Sequence, residues 1–174
     1  MAMVSDPDGV VIELVGGKGP RLSFVSVTCA ALDRSVAFYE SLGFRVVARF
    51  HSQGDDGSHL RLRGSYAMDE VMLVAPDGGQ LTLLLVGFGP QPVDPTSPDP
   101  MPRTDRPLNS LGIARLAALV PDLAAAHIEL RRIGIDPIGG PAPMTMGSGL
   151  PDLQVMCVRG PDGEVLELIE SPTT

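Results

Sequence analysis

The sequence predicts an α+β fold built from two β-α-β-β-β modules, and three observations carry the prediction. First, Phe24–Gly43 and Arg115–Gly134 are one unit written twice: an apolar strand reaches a Leu eight residues on (Leu32, Leu123), and a helix stops at a Gly eleven later (Gly43, Gly134). A repeat of this length implies similar supersecondary units sharing a core. Second, each helix is followed by short β-branched runs separated by turn residues, the signature of strands rather than further helices. Third, residues 88–111 are crowded with Pro90, Pro92, Pro95, Pro98, Pro100, Pro102 and Pro107, the composition of an extended linker.

Element by element, residues 22–29 read as a strand, and Asp33 or Ser35 caps a helix that runs to Leu42 before Gly43 stops it. Residues 44–51 alternate and form the next strand. Gln53–Gly57 is a turn, an extended stretch starts at Leu60, and residues 70–75 and 81–86 are strands flanking Pro76-Asp77-Gly78-Gly79, a strong turn signal. The second module repeats the plan with a strand at 112–120, a helix at 123–133 and an irregular Gly/Pro/Met stretch at 136–149. Strands at 153–159 and 165–170 around Pro161-Asp162-Gly163 complete it. The expected organisation is an N-terminal extra strand segment (1–20), module one (21–87), linker (88–111) and module two (112–174), with the modules forming one domain.

The extra segment stands outside the two-module plan. Asp6-Pro7-Asp8-Gly9-Val10-Val11-Ile12-Glu13-Leu14 matches Gly160-Pro161-Asp162-Gly163-Glu164-Val165-Leu166-Glu167-Leu168 nearly position for position. The chain thus opens with the last strand of a third module, either packed on a sheet edge or exchanged with a partner subunit, since an unpaired apolar strand is a pairing template.

With 174 residues, 44% of them hydrophobic, the chain can bury a substantial core. A net charge of −8 and a pI near 4.7 argue against nucleic-acid binding, which needs a clustered basic surface. No apolar run reaches the roughly 20 residues of a membrane span, and the N-terminus lacks the basic and apolar regions of a signal peptide. Cys29 and Cys157 lie in strand-like runs and read as free thiols in a reducing cytoplasm. The absence of Trp limits stacking on large planar ligands.

Three segments carry a family resemblance. Leu32-Asp-Arg-Ser-Val-Ala-Phe38-Tyr39-Glu-Ser-Leu-Gly43-Phe44, Val120-Pro-Asp122-Leu123 and Gly160-Pro-Asp-Gly-Glu-Val-Leu-Glu167-Leu168 follow one another at the spacing found in the vicinal oxygen chelate superfamily. That superfamily holds the glyoxalase, bleomycin-resistance and extradiol-dioxygenase folds. The chain resembles it from about Arg21 to Glu170, departing at Ala31, where the first motif usually has Asp. The resemblance implies paired βαβββ modules whose curved mixed sheets form a cup. In metal-dependent members, His or Gln on each first strand and Glu on each last strand hold one divalent ion that chelates vicinal substrate oxygens, a Lewis-acid role.

Carried onto this sequence, the resemblance gives a different site. The first-strand positions fall on Phe24 and Arg115, and the last-strand position of module one falls on Leu83 or Thr82. Only Glu167 keeps the carboxylate. A transition-metal site needs three or four N/O/S ligands, and an Arg adds a permanent positive charge. The expectation is an Arg115–Glu167 ion pair inside the cup, with no cofactor. It serves either as a fork for a ligand's carboxylate, enolate or carbonyl oxygen or as a structural bridge in a disused site.

Ser26 and Thr28 share a strand face with Phe24 and are assigned to the ligand wall. Val165, Ile169, Leu81 and Leu85 make the rest of the wall apolar, as a small organic ligand requires. Met144, Met146 and Met156 are adaptable wall residues, with core filling as the competing reading, and Gly147–Gly149 is either a lid hinge or a plain loop. His51 at the mouth of the cup is the general-base candidate, because imidazole titrates near neutrality. His51, His59, Asp55 and Asp56 also form a weaker loop-borne metal candidate, and His127 receives no role.

These readings converge on a homodimeric cytoplasmic protein that binds a small organic ligand, with no nucleic-acid or membrane partner. It either sequesters the ligand, as resistance proteins do, or isomerises or cyclises it in specialised metabolism. Arg115 would then stabilise negative charge while Glu167 or His51 moves the proton. The alternatives are a divalent-metal-dependent glyoxalase- or epimerase-like lyase or isomerase, using Glu167, Glu13 and loop histidines, or an assembly module with no ligand. With no His at a ligand position, an extradiol dioxygenase is not expected.

Overall fold

In the computed structural model the chain divides into two compact units, Met1–Arg103 and Thr104–Thr174. The structure describes residues 2–5, 11–14, 23–58, 64–76, 82–89, 115–145 and 152–170. Most of the expected linker, the extended stretch after Leu60, His59, Met146 and the Gly147–Gly149 segment lie outside them.

The first unit opens with β1 (Ala2–Ser5) and β2 (Val11–Leu14), followed by β3 (Phe24–Cys29), α1 (Leu32–Ser41), β4 (Arg45–Gly54), β5 (Tyr66–Val74) and β6 (Thr82–Phe88). The second holds β7 (Leu116–Val120), α2 (Leu123–Arg132), β8 (Ala142–Met144), β9 (Leu153–Arg159) and β10 (Val165–Glu170). The sheets run β3-β6-β5-β4 and β7-β10-β9-β8. In each, the first strand pairs in parallel with the last and the other pairings are antiparallel. These are the two β-α-β-β-β modules the repeat predicts.

The glycines that end the repeat do so by the same geometry. Gly43 and Gly134 have φ of 89° and 82°, a left-handed backbone that costs other residues a steric clash with Cβ. Gly43 N–H donates to the Glu40 carbonyl and Phe44 N–H to that of Tyr39. Gly134 and Ile135 repeat this with Arg131 and Leu130. Each pair of bonds satisfies the last carbonyls of a helix that the sequence alone leaves open.

The helix starts differ, and here the structure corrects the expected cap. Ala31 occupies the cap of α1 and makes no side-chain bond there, while Asp33 and Ser35 are already helical. Ser35 is buried and returns its hydroxyl to the Ala31 carbonyl. In α2, Asp122 accepts from Ala125 N–H at 2.8 Å and Glu170, reaching across from β10, accepts from Leu123 N–H at 3.0 Å.

Strand alternation assigns each sheet one face under its helix and one open face. In the first unit, Leu83 and Leu85 pair with Val25 and Val27 and lie on the side of Gly87, whose position faces Leu32 of α1. With Val71, Leu73, Val36 and Tyr39 they form the buried core, and Tyr39 is bracketed edge-on by Phe38 and Phe44. In the second unit Met156, Val158, Leu166 and Leu168 share the face on which Glu170 reaches α2, and pack there with Leu123 and Leu130. The FY…LGF segment and the closing hairpin therefore carry packing residues first of all.

The N-terminal segment holds two strands where the sequence suggests one. β2 pairs antiparallel with β1 in a separate two-stranded sheet, so it finds a partner within its own chain. The register repeats that of β9 and β10: Val11 faces Ser5 as Val165 faces Arg159, and Glu13 faces Met3 as Glu167 faces Cys157. Val4 and Ile12 are 42% and 44% exposed, whereas their counterparts Val158 and Leu166 are 0% and 2% exposed beneath α2.

Candidate functional site

The open face of the second sheet is built by every other residue of three strands. Arg115, Ala117 and Leu119 come from the β7 side, Val165, Glu167 and Ile169 from β10, and Arg159, Cys157 and Val155 from β9. Parallel pairing of β7 with β10 sets Glu167 beside Ala117, one step along from Arg115. From there Arg115 Nε donates to Glu167 Oε2 at 2.8 Å. The Glu167 side chain is 10% exposed and that of Arg115 is 43% exposed, so the carboxylate lies beneath the guanidinium.

Cys157 sits directly across the hairpin from Glu167 and is free. Its thiol pKa is raised, first by burial and then by the nearby Glu167 charge, with Arg115 opposing. At neutral pH it is held as the protonated thiol, a weak donor rather than a nucleophile. From the sequence Cys157 is expected only to be a free thiol. The signal for its place was the hairpin itself, because once Arg159 faces Val165, Cys157 must face Glu167.

The other assigned residues separate. Phe24, Ser26 and Thr28 share the open face of the first sheet, on the rungs of Thr82, Leu84 and Val86; Ser26 and Thr28 are exposed. Leu83 is on the opposite face, 3% exposed under α1. The residue that corresponds to Glu167 is Leu84, since Phe24 faces Thr82 and the corresponding rung is two residues further. Met156 is likewise a core residue beneath α2, 2% exposed, rather than a wall of the open face. Met144, paired with Leu153, does fall on that open face.

His51 also departs from its expected place. It pairs with Asp69, which pairs with Gly87, so both side chains lie on the helix-bearing side of the first sheet. His51 Nδ1 and Asp69 Oδ1 are 2.8 Å apart with both side chains exposed. The hydrogen bond to Asp69 raises the His51 pKa, burial opposes it, and the charge of Asp69 and a bond to Gln53 assist. The open face carries a different titratable group, Glu70, whose carboxylate accepts from Ser52 at 3.4 Å. Its facing is set by the pairing of β5 with β6, in which Glu70 stands opposite Val86.

Residues 21–168 match the family described as the Glyoxalase/Bleomycin resistance protein/Dioxygenase superfamily. The chain belongs to this superfamily. Solved structures share its fold. A glyoxalase family protein from Bacillus cereus is 24% identical, covers 91% of this chain and 98% of its own, and superposes with a TM-score of 0.69. A glyoxylase/bleomycin resistance protein/dioxygenase domain from Frankia sp. is 19% identical over 89% of this chain and 100% of its own, with a TM-score of 0.57. A glyoxalase family protein from Enterococcus faecalis is 20% identical over 86% and 97%, with a TM-score of 0.56. No curated protein matches the chain.

The divalent ion of metal-dependent members can be tested against the donors present here. Phe24 and Leu84 offer no lone pair, and Arg115 offers only donors and a fixed positive charge. Glu167, the one carboxylate on these rungs, already has Oε2 engaged by Arg115. Taken module by module, neither pair supplies the several convergent N, O or S donors that a divalent ion wants. Among the described residues no helix is long and apolar enough to cross a membrane.

Proposed function

We propose that this superfamily member works without a metal and binds a small organic molecule on the open face of its second sheet, around Arg115 and Glu167. The observation that carries the reading is a difference between equivalent positions. Leu84 and Glu167 occupy the same rung of their modules and are 7% and 8% exposed. The fold is thus satisfied by Leu at this place. A buried carboxylate must instead recover its desolvation cost from a partner, and a buried ion pair is weak evidence of stabilisation. A pair retained where an aliphatic side chain suffices is better explained by use than by packing.

The chemistry available is electrostatic and acid–base. Arg115, the more exposed partner, meets an incoming oxygen and stabilises negative charge on it as a carbonyl enolises. Glu167 is placed beneath to take or return a proton at the adjacent carbon or oxygen. Used without the proton transfer, the same face sequesters its ligand. With it, the face isomerises or cyclises. His51 lies on the helix-bearing side of the first sheet, and the proposed chemistry is assigned to Arg115 and Glu167 alone.

Elemental mass spectrometry of the purified protein, with and without Ni²⁺, Zn²⁺ or Fe²⁺, tests the metal-free reading. A stoichiometric ion lost on Glu167→Ala overturns it in favour of a metal-dependent lyase or isomerase. A thermal-shift screen of small organic compounds then tests binding, and the expected result is a ligand whose shift disappears in Arg115→Gln. Turnover that disappears in Glu167→Gln while the fold persists identifies the catalytic form. Binding without turnover identifies the sequestering one.

A further inference from the structure

The shape of the open face on the second sheet says what kind of molecule it takes. Arg115 uses Nε for Glu167, and among the described residues no other acceptor engages its guanidinium. The outer edge, with both terminal nitrogens, is therefore directed away from Glu167 and is available to a ligand. That edge presents two parallel N–H donors, the geometry that a carboxylate accepts in bidentate fashion. Because the side chain of Glu167 is 10% exposed and that of Arg115 is 43% exposed, an approaching group meets the cation first.

Beyond the guanidinium the surface becomes apolar. Ala117 is exposed and Leu119 is 60% exposed, and both point to the same side as Arg115. The row from Arg115 to Leu119 spans four residue steps, roughly 13 Å of strand. Beside it lie Val165 and Ile169 of β10. Among the described residues Leu119 is the most exposed large apolar side chain on this face, in contrast to Val165, which is 4% exposed.

A second cation would favour a dianion such as a phosphate ester. Arg159 is on this face, but it donates to the Gly163 carbonyl at 3.1 Å and is held by its own turn. With one available guanidinium edge above a buried carboxylate, a single negative charge is the better match, and a cationic ligand would meet the more exposed guanidinium before the carboxylate. We infer that the ligand of this face is an organic monocarboxylate with an apolar body, its carboxylate on the outer edge of Arg115 and its body along Ala117 and Leu119. The inference rests on the proposed ligand-binding role of this face and narrows it to a chemical class.

Isothermal titration of the full chain with octanoate, octanamide and acetate tests it. Octanoate is expected to bind, octanamide at least tenfold more weakly, and acetate not measurably. Glu167→Gln removes the carboxylate that competes for the guanidinium while keeping its shape, so it should tighten octanoate severalfold. Arg115→Gln should abolish binding, and Leu119→Ser should weaken it severalfold, with circular dichroism confirming that each variant is folded. Equal affinity for octanoate and octanamide, or octanoate binding indifferent to Glu167→Gln and Leu119→Ser, overturns the proposal. A neutral compound that binds through Arg115 while octanoate does not overturns the carboxylate class and leaves ligand binding at this face standing. If no compound in the screen binds, the ligand-binding reading itself falls.

Discussion

The two modules of this chain solve the same structural problem with opposite chemistry at two equivalent positions. In the first, Phe24 and Leu84 stand where the second has Arg115 and Glu167, on sheets of the same strand order and at nearly the same burial of the last-strand residue. The rest of the design is held in common: the Gly stop of each helix, the parallel first–last pairing and the aliphatic face under the helix. The largest chemical difference lies at these two positions on the face away from the helix. Duplication of a module thus leaves one copy free to keep the apolar solution while the other carries a charge pair that the fold does not require.

The comparison breaks most visibly if the charge is moved alone. Leu84→Glu places a carboxylate at a 7% exposed position with Phe24 as its neighbour in place of an Arg. An uncompensated buried charge of this kind costs about 3–5 kcal/mol, enough to lower the unfolding midpoint steeply in a denaturant titration. Adding Phe24→Arg rebuilds the pair of the second module and should recover a large part of the loss. A double variant no more stable than Leu84→Glu would show that the two rungs are not equivalent and that the second module orients its arginine by other means.

A smaller difference lies at the helix starts. Ala31 caps α1 without a side-chain bond, whereas Asp122 bonds Ala125 N–H. Ala31→Asp should raise stability by about 1 kcal/mol, and Asp122→Ala should lower it by a similar amount, each read as a shift in thermal midpoint. Glu170, which also caps α2, softens the second effect. An Ala31→Asp variant that gains nothing would mean that the extended backbone at Ala31 does not bring its side chain to the exposed helix N–H groups.

How legible these features were depends on how local their causes are. The Gly stops of the helices and the module order follow from spacing along one strand or one helix turn, whereas the Arg115–Glu167 pair joins two strands and was expected only from the family resemblance. The assignment of Leu83 failed because the last strand was aligned through an uncertain turn around Gly79, and one residue of slip moves a side chain to the other face. Met156 and His51 failed for a related reason. Each sits on a strand whose facing is set by its neighbours, with α2 covering the first and Asp69 turning with the second. Glu70 received no role because the face its strand presents is decided by the pairing of β5 with β6, a non-local cause. The strand the sequence does not announce, β1, is short, and only its repetition of the β9 register reveals what it copies.

Cys157 offers a way to read the charge pair directly. Burial and Glu167 raise its pKa while Arg115 lowers it, so its reactivity reports the balance between the two. In a Cys29→Ser background, the pH dependence of alkylation should show a midpoint above that of an ordinary thiol. Glu167→Gln should bring the midpoint down and Arg115→Gln should push it further up. A midpoint unmoved by either substitution would place the thiol out of range of the pair and remove it from the site.

The smallest effect is expected where the first module has a charged pair of its own. His51 and Asp69 are exposed on the helix-bearing side, so solvent screens their attraction and its contribution to stability is slight. Its sign is nevertheless fixed. Because Asp69 raises the His51 pKa in the folded chain, the contribution is full below the unfolded value, near 6.5. It fades as pH rises through the higher folded value, where the imidazole loses its proton. Titration of the His51 ring resonances by NMR should give a midpoint above 6.5 that returns toward it in Asp69→Asn. Ligand binding to the second sheet should be unaffected by that substitution. A change in binding would instead connect His51 to the site.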